Sequence, residues 1–284
     1  MGLKNLRYAL IQILAATLSI PIAQGAENAF RVCADPNNPP LSDSKGQGFE
    51  NKIAELFARE LGQKLEYTWF PQRLGFVRNT LKAKLPDSEE FKCDVVMGVP
   101  TGYELTATTK PYYRSTYALV YRKGRGFDDI HSPADLARLP DDRKAKLRIA
   151  MFDGAPGTTW LLKHQLIAQG VPYPSMPGDA SVNIAQILEK DLLDGKIDMT
   201  IVWGPIAGYL VSHNPPGTFE LIPMKSEQGI RFDFPMSMGV RFPDKERKQQ
   251  LDTLIARNAD KIQALLREYQ VPLVDKDGNL IPNQ

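Results

Sequence analysis

The sequence predicts an α/β fold made of two similar units, each a mostly parallel sheet flanked by helices. Short runs of β-branched and apolar residues alternate along the chain with segments whose apolar residues follow the helical period. This alternation is typical of parallel strands joined by helical crossovers. A polar stretch, residues 122–146, separates two such series of elements, and 284 residues suffice for two medium-sized domains.

The first unit opens with a strand that ends in a turn-forming cluster, residues 35–40, rich in Asp, Asn and Pro. The helix after it carries Ile53 and Phe57 on one face and ends at Gly62, a residue typical of helix C-termini. The predicted elements of this unit are strands at residues 30–34, 65–70, 93–99 and 116–121, and helices before Gly62 and at residues 73–84.

The second unit repeats the pattern after the polar stretch. A loop at residues 153–157 precedes a helix that begins at Thr158, and Pro205 suits the first turn of a short helix. The strand near residues 236–241 could cross back to the first unit. The predicted elements are strands at residues 147–151, 198–203, 219–223 and 236–241, and helices at 158–166, at 183–193, from 204, and from 244 or 245 to 266.

The N-terminus has the three-part layout of a secretory signal. Lys4 and Arg7 precede an apolar run, and small residues follow it before Ala26. The alternative is an uncleaved membrane anchor, against which Pro21 and the small-residue tail argue. We therefore predict a signal peptide over residues 1–25 and a chain exported to the periplasm, with no membrane insertion once mature.

Composition excludes several classes of protein. Hydrophobic residues make up 43% and charged residues 24%, which excludes a disordered, a collagen-like and a polytopic membrane protein. Without Lys4 and Arg7 the basic and acidic residues are equal in number, and they are mixed along the chain. No basic stripe for a nucleic acid is present.

The cysteines and histidines indicate structural roles and no metal-binding or catalytic site. In an oxidising compartment Cys33 and Cys93, expected on neighbouring strands, usually pair as a disulfide; the alternative is two buried thiols. His131, His164 and His213 are widely spaced, and no metal-binding motif occurs. We expect no metal, no cofactor and no catalytic residues.

Several motifs together resemble the type II periplasmic solute-binding proteins. They are Gly48-Phe-Glu50, the run from Cys93 to Gly98, Pro111-Tyr-Tyr113, Gly157-Thr-Thr159 and Pro205 to Tyr209. The resemblance extends over about residues 30–270. It implies two lobes around a ligand cleft, with residues 26–122 and 239–284 in lobe 1 and residues 123–238 in lobe 2. It also implies a hinge near residues 121–123 and 238–241.

Two departures put ordinary amino-acid capture in doubt. Amino-acid-binding members hold the ligand carboxylate with an arginine after a T-x-T region, and residues 105–111 contain none. They hold the ligand ammonium with an acid after a lobe 2 strand, where this chain has Trp203 and Gly204. Losing both charges removes the clamp for a zwitterion.

Longer runs resemble a subgroup of that fold, the methanol oxidation J proteins (MxaJ and XoxJ types). The runs are residues 31–38, 48–54, 71–80, 93–100 and 111–117. The resemblance implies an accessory protein that binds, matures or activates a periplasmic quinoprotein methanol or alcohol dehydrogenase. Its cleft would hold a peptide segment of that partner or a small molecule. The alternatives are an ABC-transporter receptor for a small anionic or non-zwitterionic solute and an enzyme on this scaffold, since a few relatives dehydrate cyclohexadienyl acids.

Ligands of open α/β sheets bind beyond the carboxyl ends of the strands, which is where we expect the cleft. The alternatives are an Asx-Pro turn for the Asp35 cluster, a helix cap for the threonines and core packing for the tyrosines and tryptophans. The predicted cleft residues are Asp35, Asn37, Asn38, Gln72, Arg73, Tyr103, Tyr112, Arg114, Asp153, Thr158, Thr159, Trp160, Trp203 and Gly204.

Overall fold

The structure is a computed structural model and describes residues 29–175 and 181–282. The predicted signal peptide lies outside the described residues. The strands are β1 (Ala29–Ala34), β2 (Asn37–Asn38), β3 (Ser42–Asp43), β4 (Lys64–Trp69), β5 (Val95–Pro100), β6 (Ala107–Thr108), β7 (Tyr113–Arg122), β8 (Ile149–Phe152), β9 (Gly170–Tyr173), β10 (Met199–Trp203), β11 (Phe219–Pro223) and β12 (Asp233–Val240). The α-helices are α1 (Phe49–Leu61), α2 (Phe76–Asn79), α3 (Pro133–Ala137), α4 (Asp141–Lys144), α5 (Pro156–Lys163), α6 (Ile184–Leu193), α7 (Gly204–Ser212), α8 (Lys245–Arg257) and α9 (Ala259–Glu268).

A mixed sheet runs through the whole molecule and confirms the α/β prediction. Its main path is β4-β1-β5-β12-β7-β10-β8-β9, with β11 beside β7 and β6 beside β12. In one half β1 pairs in parallel with β4 and β5, and in the other β8 pairs in parallel with β9 and β10. The halves join through the antiparallel pair β7 and β12, with Tyr113 opposite Met236 and Thr116 opposite Asp233. We call the half with β1 lobe 1 and the half with β8 lobe 2.

The strand pair at the junction contributes side chains to both lobes. Tyr113 and Met238 pack into the core of lobe 1, against α1, α8 and α9. Leu119 and Tyr121, further along β7, pack into the core of lobe 2. The lobe boundaries and the hinge positions expected from the sequence stay predictions.

The ends of two helices follow their local sequence. Gly62 ends α1 in the left-handed conformation, at φ 62°, and its N–H donates to the carbonyls of Ala58 and Arg59. Asn183 caps α6, because its side-chain oxygen accepts from the N–H groups of Ala185 and Gln186. Both ends confirm the sequence prediction.

The helix predicted at residues 73–84 is wrong in extent, since only the single turn of α2 forms. Gly75 precedes that turn at φ 86°, and Thr80 leaves the helix at φ −118° and ψ −87°. The Thr80 hydroxyl donates to the carbonyl of Phe76, which closes the turn.

The long final helix is in fact two helices, α8 and α9, separated by Asn258. That residue is buried, and its side-chain Nδ2 donates to the carbonyl of Leu254 at 3.0 Å. The polar stretch between the units also carries two short helices, α3 and α4.

The predicted disulfide is confirmed. Cys33 on β1 is bonded to Cys93, two residues before β5, with Cα atoms 5.4 Å apart. The bridge is buried against Phe76, Val77 and Leu81. It therefore ties β1 to the segment before β5, and α2 packs against the bridge.

A C-terminal hairpin, residues 271–282, crosses beneath the junction of the lobes. The hydroxyl of Ser115 on β7 donates to the carbonyl of Pro272 at 2.8 Å, and Leu273 forms a bridge with the same residue. Val274 pairs with Leu280, so the chain turns back on itself. No helix among the described residues is long and apolar enough to cross a membrane.

Candidate functional site

The candidate site is the cleft between the lobes, where the carboxyl ends of β1 and β4 face those of β8 and β10. This is the edge at which open α/β sheets bind ligands. On the lobe 2 side the cleft contains a cavity of about 250 Å³. Its walls include Tyr117, Phe152, Asp153, Trp203 and Ile206.

The lobe 2 wall is largely aromatic and aliphatic. The ring of Trp203 lies 5.4 Å from that of Tyr117 and 6.1 Å from that of Phe234, both in edge-to-face geometry. Burial raises the pKa of Tyr117, so its hydroxyl stays neutral. Asp153 is exposed, and among the described residues that line this cavity it is the one with a carboxylate side chain. The wall is therefore suited to apolar and aromatic groups.

On the lobe 1 rim the structure brings together Asp35, Asn37, Asn38 and Gln72. The carboxylate of Asp35 accepts the N–H of Asn37 at 2.8 Å and that of Gln72 at 2.5 Å. The side-chain amide of Asn38 donates to Gln72 Oε1 at 2.9 Å. The Asp35 carboxylate thus holds the loops after β1 and β4 together, an arrangement that includes an Asx turn. Ligand contact by these residues stays a prediction.

Asn37 also joins the two lobes across the rim of the cleft. Its side-chain amide donates to the carbonyl of Ser181, and its carbonyl accepts from Nδ2 of Asn183, each at 3.0 Å. We call these two hydrogen bonds the rim latch. The sequence predicted Asn183 as the start of a helix but carried no signal for its second contact, because that contact depends on how the lobes meet.

Two further predicted residues lie on lobe 1. The guanidinium of Arg73 is exposed and sits 5.8 Å from the centroid of the Phe70 ring. Tyr103 is half-buried and packs against the hydrophobic cluster around the disulfide. Arg73 is therefore the residue of this pair that places a charged group near the rim.

The threonines lie in the first turns of α5 on lobe 2. The helix begins at Pro156, so Thr158 is not its cap. The Thr158 hydroxyl donates to the carbonyl of Phe152 at 2.6 Å and accepts the N–H of the same residue at 3.1 Å. Thr159 is exposed. The Thr158 hydroxyl is thus committed to its own loop, and anion binding by either residue stays a prediction.

Four other predicted residues have structural contacts within the fold, and ligand contact by them stays a prediction. Trp160 is buried in the lobe 2 core, and Tyr112 is buried in the lobe 1 core. Arg114 forms an ion pair with Asp233 at 2.6 Å. A Cβ built on Gly204 would lie 2.4 Å from the hydroxyl oxygen of Ser115, so this glycine permits close packing of α7 against β7.

The acidic residue of the Gly48-Phe-Glu50 motif is buried in lobe 1. Glu50 is the second residue of α1, and its Oε1 has no hydrogen-bond partner among the described residues. Burial raises the pKa of this carboxyl to about 8. The motif therefore places a neutral carboxylic acid in the lobe 1 core at pH 7.

Comparison with known proteins places the chain in a family. No protein-family model matches it. Protein MoxJ of Paracoccus denitrificans is 28% identical over 285 residues, covering 92% of this chain and 94% of MoxJ. The crystal structure of the periplasmic binding protein XoxJ from Methylobacterium extorquens AM1 is 36% identical and superposes with a TM-score of 0.68. That match covers 87% of this chain and 100% of XoxJ.

A second solved structure matches this chain over the same share of its length. MxaJ from Methlophaga aminisulfidivorans MPT is 25% identical with a TM-score of 0.69, covering 87% of this chain and 100% of MxaJ. The two-lobed fold predicted from the motifs is thereby confirmed. This chain belongs to the family of periplasmic binding proteins that includes XoxJ, MxaJ and MoxJ.

Proposed function

We propose that this protein is exported to the periplasm, where it binds a quinoprotein methanol or alcohol dehydrogenase and assists its maturation or activation. In this role it catalyses no reaction itself, and its cleft receives a segment of the partner. The kinship with MoxJ and XoxJ supports the proposal, because the sequence motifs of this chain resemble those of the methanol oxidation J proteins.

The observation that carries the proposal is the unequal chemistry of the two cleft walls. A zwitterionic amino acid needs a cation and an anion held at fixed positions on opposite sides. Here the Asp35 carboxylate is occupied by two backbone N–H groups of its own lobe. Apart from the exposed carboxylate of Asp153, the opposite wall is largely apolar and includes Trp203 and Ile206. Aromatic and aliphatic walls of this kind suit the apolar side chains of a protein segment.

Entry of such a segment would involve the contact between the lobes. The rim latch joins the lobes beside the cavity, so a segment long enough to pass through the cleft has to displace it. We propose that the lobes move about the paired strands, where Ser115 lies opposite Phe234. Binding then replaces two hydrogen bonds of the latch with contacts to the partner.

The test is capture of the dehydrogenase by the tagged mature chain from periplasmic extract of methanol-grown source cells. Ile206→Lys places a charge on the cleft wall, and Leu162→Lys places the same charge on an exposed lobe 2 position, 63% accessible. We expect the unmodified chain and Leu162→Lys to retain a quinoprotein dehydrogenase at near-stoichiometric amount and Ile206→Lys to lose it. Melting temperatures of both variants establish that they are folded.

An empty capture together with a tightly bound small molecule would contradict the proposal. It would identify an ABC-transporter receptor for a small anionic or non-zwitterionic solute instead. Equal retention of the dehydrogenase by folded Ile206→Lys and Leu162→Lys would place the partner surface outside the cleft.

A further inference from the structure

A second cavity, larger than that of the cleft, lies on lobe 2. Its volume is about 480 Å³, against about 250 Å³ for the cavity of the cleft. Its walls come from α3, α5, the end of β11 and the C-terminal hairpin. We call it the lobe 2 cavity. Binding sites for small molecules commonly have volumes of roughly 300–1,000 Å³.

The interior of the lobe 2 cavity is apolar. Trp160, Ile222, Met224 and Leu280 line it. Trp160, which the sequence suggested as a cleft residue, is only 3% exposed, and its ring lies 4.3 Å from that of His164. An aromatic wall with a methionine beside it favours a flat ring.

The polar groups of the lining differ in whether they are already paired. Glu227 lies 3.2 Å from His164 Nε2 and 3.3 Å from Lys163 Nζ, so its charge is compensated. The hydroxyls of Ser132 and Ser226 are bonded to Asp135 and Asp233, respectively.

Lys225 differs from these lining residues. It is exposed, and in the part of the chain that the structure describes its ammonium group has neither an ion pair nor a hydrogen bond. The charged group of the lining that is left to pair with a ligand is therefore positive. A positive group beside an apolar interior suits a ligand with an anionic group attached to a ring.

We propose that the lobe 2 cavity is a second binding site, which takes a small carboxylate carrying an apolar ring. The ring lies against Trp160 and Met224, and the carboxylate pairs with Lys225. The site is separate from the cleft and does not depend on the function proposed for it.

The tryptophans of the chain allow the two sites to be observed independently. There are three, Trp69 on β4, Trp160 in the lobe 2 cavity and Trp203 in the cleft. The double variant W69F/W203F leaves Trp160 as the fluorescent reporter, and W69F/W160F leaves Trp203. Benzoate is the anionic probe and benzyl alcohol is its neutral counterpart.

We expect benzoate to change the emission of Trp160 saturably and to leave that of Trp203 unchanged. In the W69F/W203F background Lys225→Glu should weaken benzoate binding by about 10-fold or more, because an attractive charge becomes repulsive. The same variant should leave benzyl alcohol binding unchanged. Lys146→Glu, at an exposed lobe 2 position outside the cavity lining, makes the same change in net charge and should have no effect.

Three results would overturn the proposal. One is the absence of a saturable Trp160 response to benzoate at millimolar concentration in a protein whose melting curve is normal. Another is a saturable response from Trp203 alone. The third is an equal effect of Lys225→Glu and Lys146→Glu on benzoate, which would indicate only general attraction by net charge.

Discussion

The carboxyl group of Glu50 occupies the space that a side chain at Gly98 would need. A Cβ built on Gly98 would lie 2.1 Å from Glu50 Oε1, closer than any van der Waals contact allows. Glu50 belongs to α1 and Gly98 to β5, and both are in the buried interior of lobe 1. The glycine therefore lets the helix pack with its acidic side chain directed at the sheet.

The first prediction concerns this contact. Gly98→Ala should reduce the free energy of unfolding by about 1–3 kcal/mol, the usual cost of overpacking a core. In an E50A background, where the carboxyl is gone, the same substitution should cost much less. Urea unfolding of the four proteins measures the coupling between the two positions. An equal cost in both backgrounds would contradict the proposed clash.

The second prediction concerns pH. Burial raises the pKa of Glu50 to about 8 from its ordinary 4.5, so the folded protein keeps a proton that the unfolded chain releases. The contribution to stability is complete below pH 4.5 and is lost as the pH rises through about 8. Tyr112 and Tyr113 stay neutral over this range, because burial raises the pKa of each well above 10.0.

Glu50→Gln tests the pH prediction, because the amide has a similar shape and cannot ionise. The free energy of unfolding from urea titrations at pH 5, 7 and 9 should decline less steeply in this variant than in the unmodified protein. The difference should reach a few kcal/mol over this range, since each pKa unit corresponds to about 1.4 kcal/mol. Parallel curves for the two proteins would show that Glu50 ionises normally.

The third prediction concerns the rim latch. Asn183→Asp keeps the oxygen that caps α6 but removes the amide that donates to Asn37, and it places a negative charge near that carbonyl. We expect near-normal stability and a larger radius of gyration in small-angle X-ray scattering. Asn183→Ala should show the same larger radius of gyration and in addition lose about 1 kcal/mol of the free energy of unfolding, because the helix cap is also gone. An unchanged radius of gyration in both variants would show that other contacts hold the lobes together.

The fourth prediction concerns the disulfide. Cys33 and Cys93 are 60 residues apart in sequence, and closing a loop of that length contributes about 4 kcal/mol in the chain-entropy model. The double variant C33A/C93A should lose stability of that order in urea unfolding. Dithiothreitol should lower the stability of the unmodified protein and leave the variant unaffected. The prediction fails if reduction of the unmodified protein leaves its unfolding midpoint in place.

Much of the fold could be predicted because local signals and tertiary structure agree. Gly62 ends a helix whose apolar face is buried, and Asn183 precedes a periodic run, so capping and burial point to the same boundaries. The break at Asn258 could not be predicted in this way. No glycine or proline marks this position in the sequence, and the break depends on the hydrogen bond that the buried Asn258 side chain donates to the carbonyl of Leu254.

The candidate site was predictable only in part. Asp35 and Gln72 meet because parallel strands end at a common edge, a rule that needs no side-chain geometry. Which side of α5 faces the cleft depends on how this short helix is rotated where it packs on the core of lobe 2. That rotation places Trp160 in a different cavity. The sequence around Lys225 gave no sign of that cavity, because its walls come from distant segments.

The bond between Ser115 and Pro272 spans 157 residues of sequence. An emerging chain therefore has both strands of the junction, β7 and β12, available well before the segment that runs beneath them. The junction between the lobes is therefore completed by the C-terminal segment, which is synthesised after the strands that it contacts. Truncation before Pro272 removes this bond together with Leu273 of the lobe 1 core, so it should both loosen the connection between the two halves and lower the stability of lobe 1.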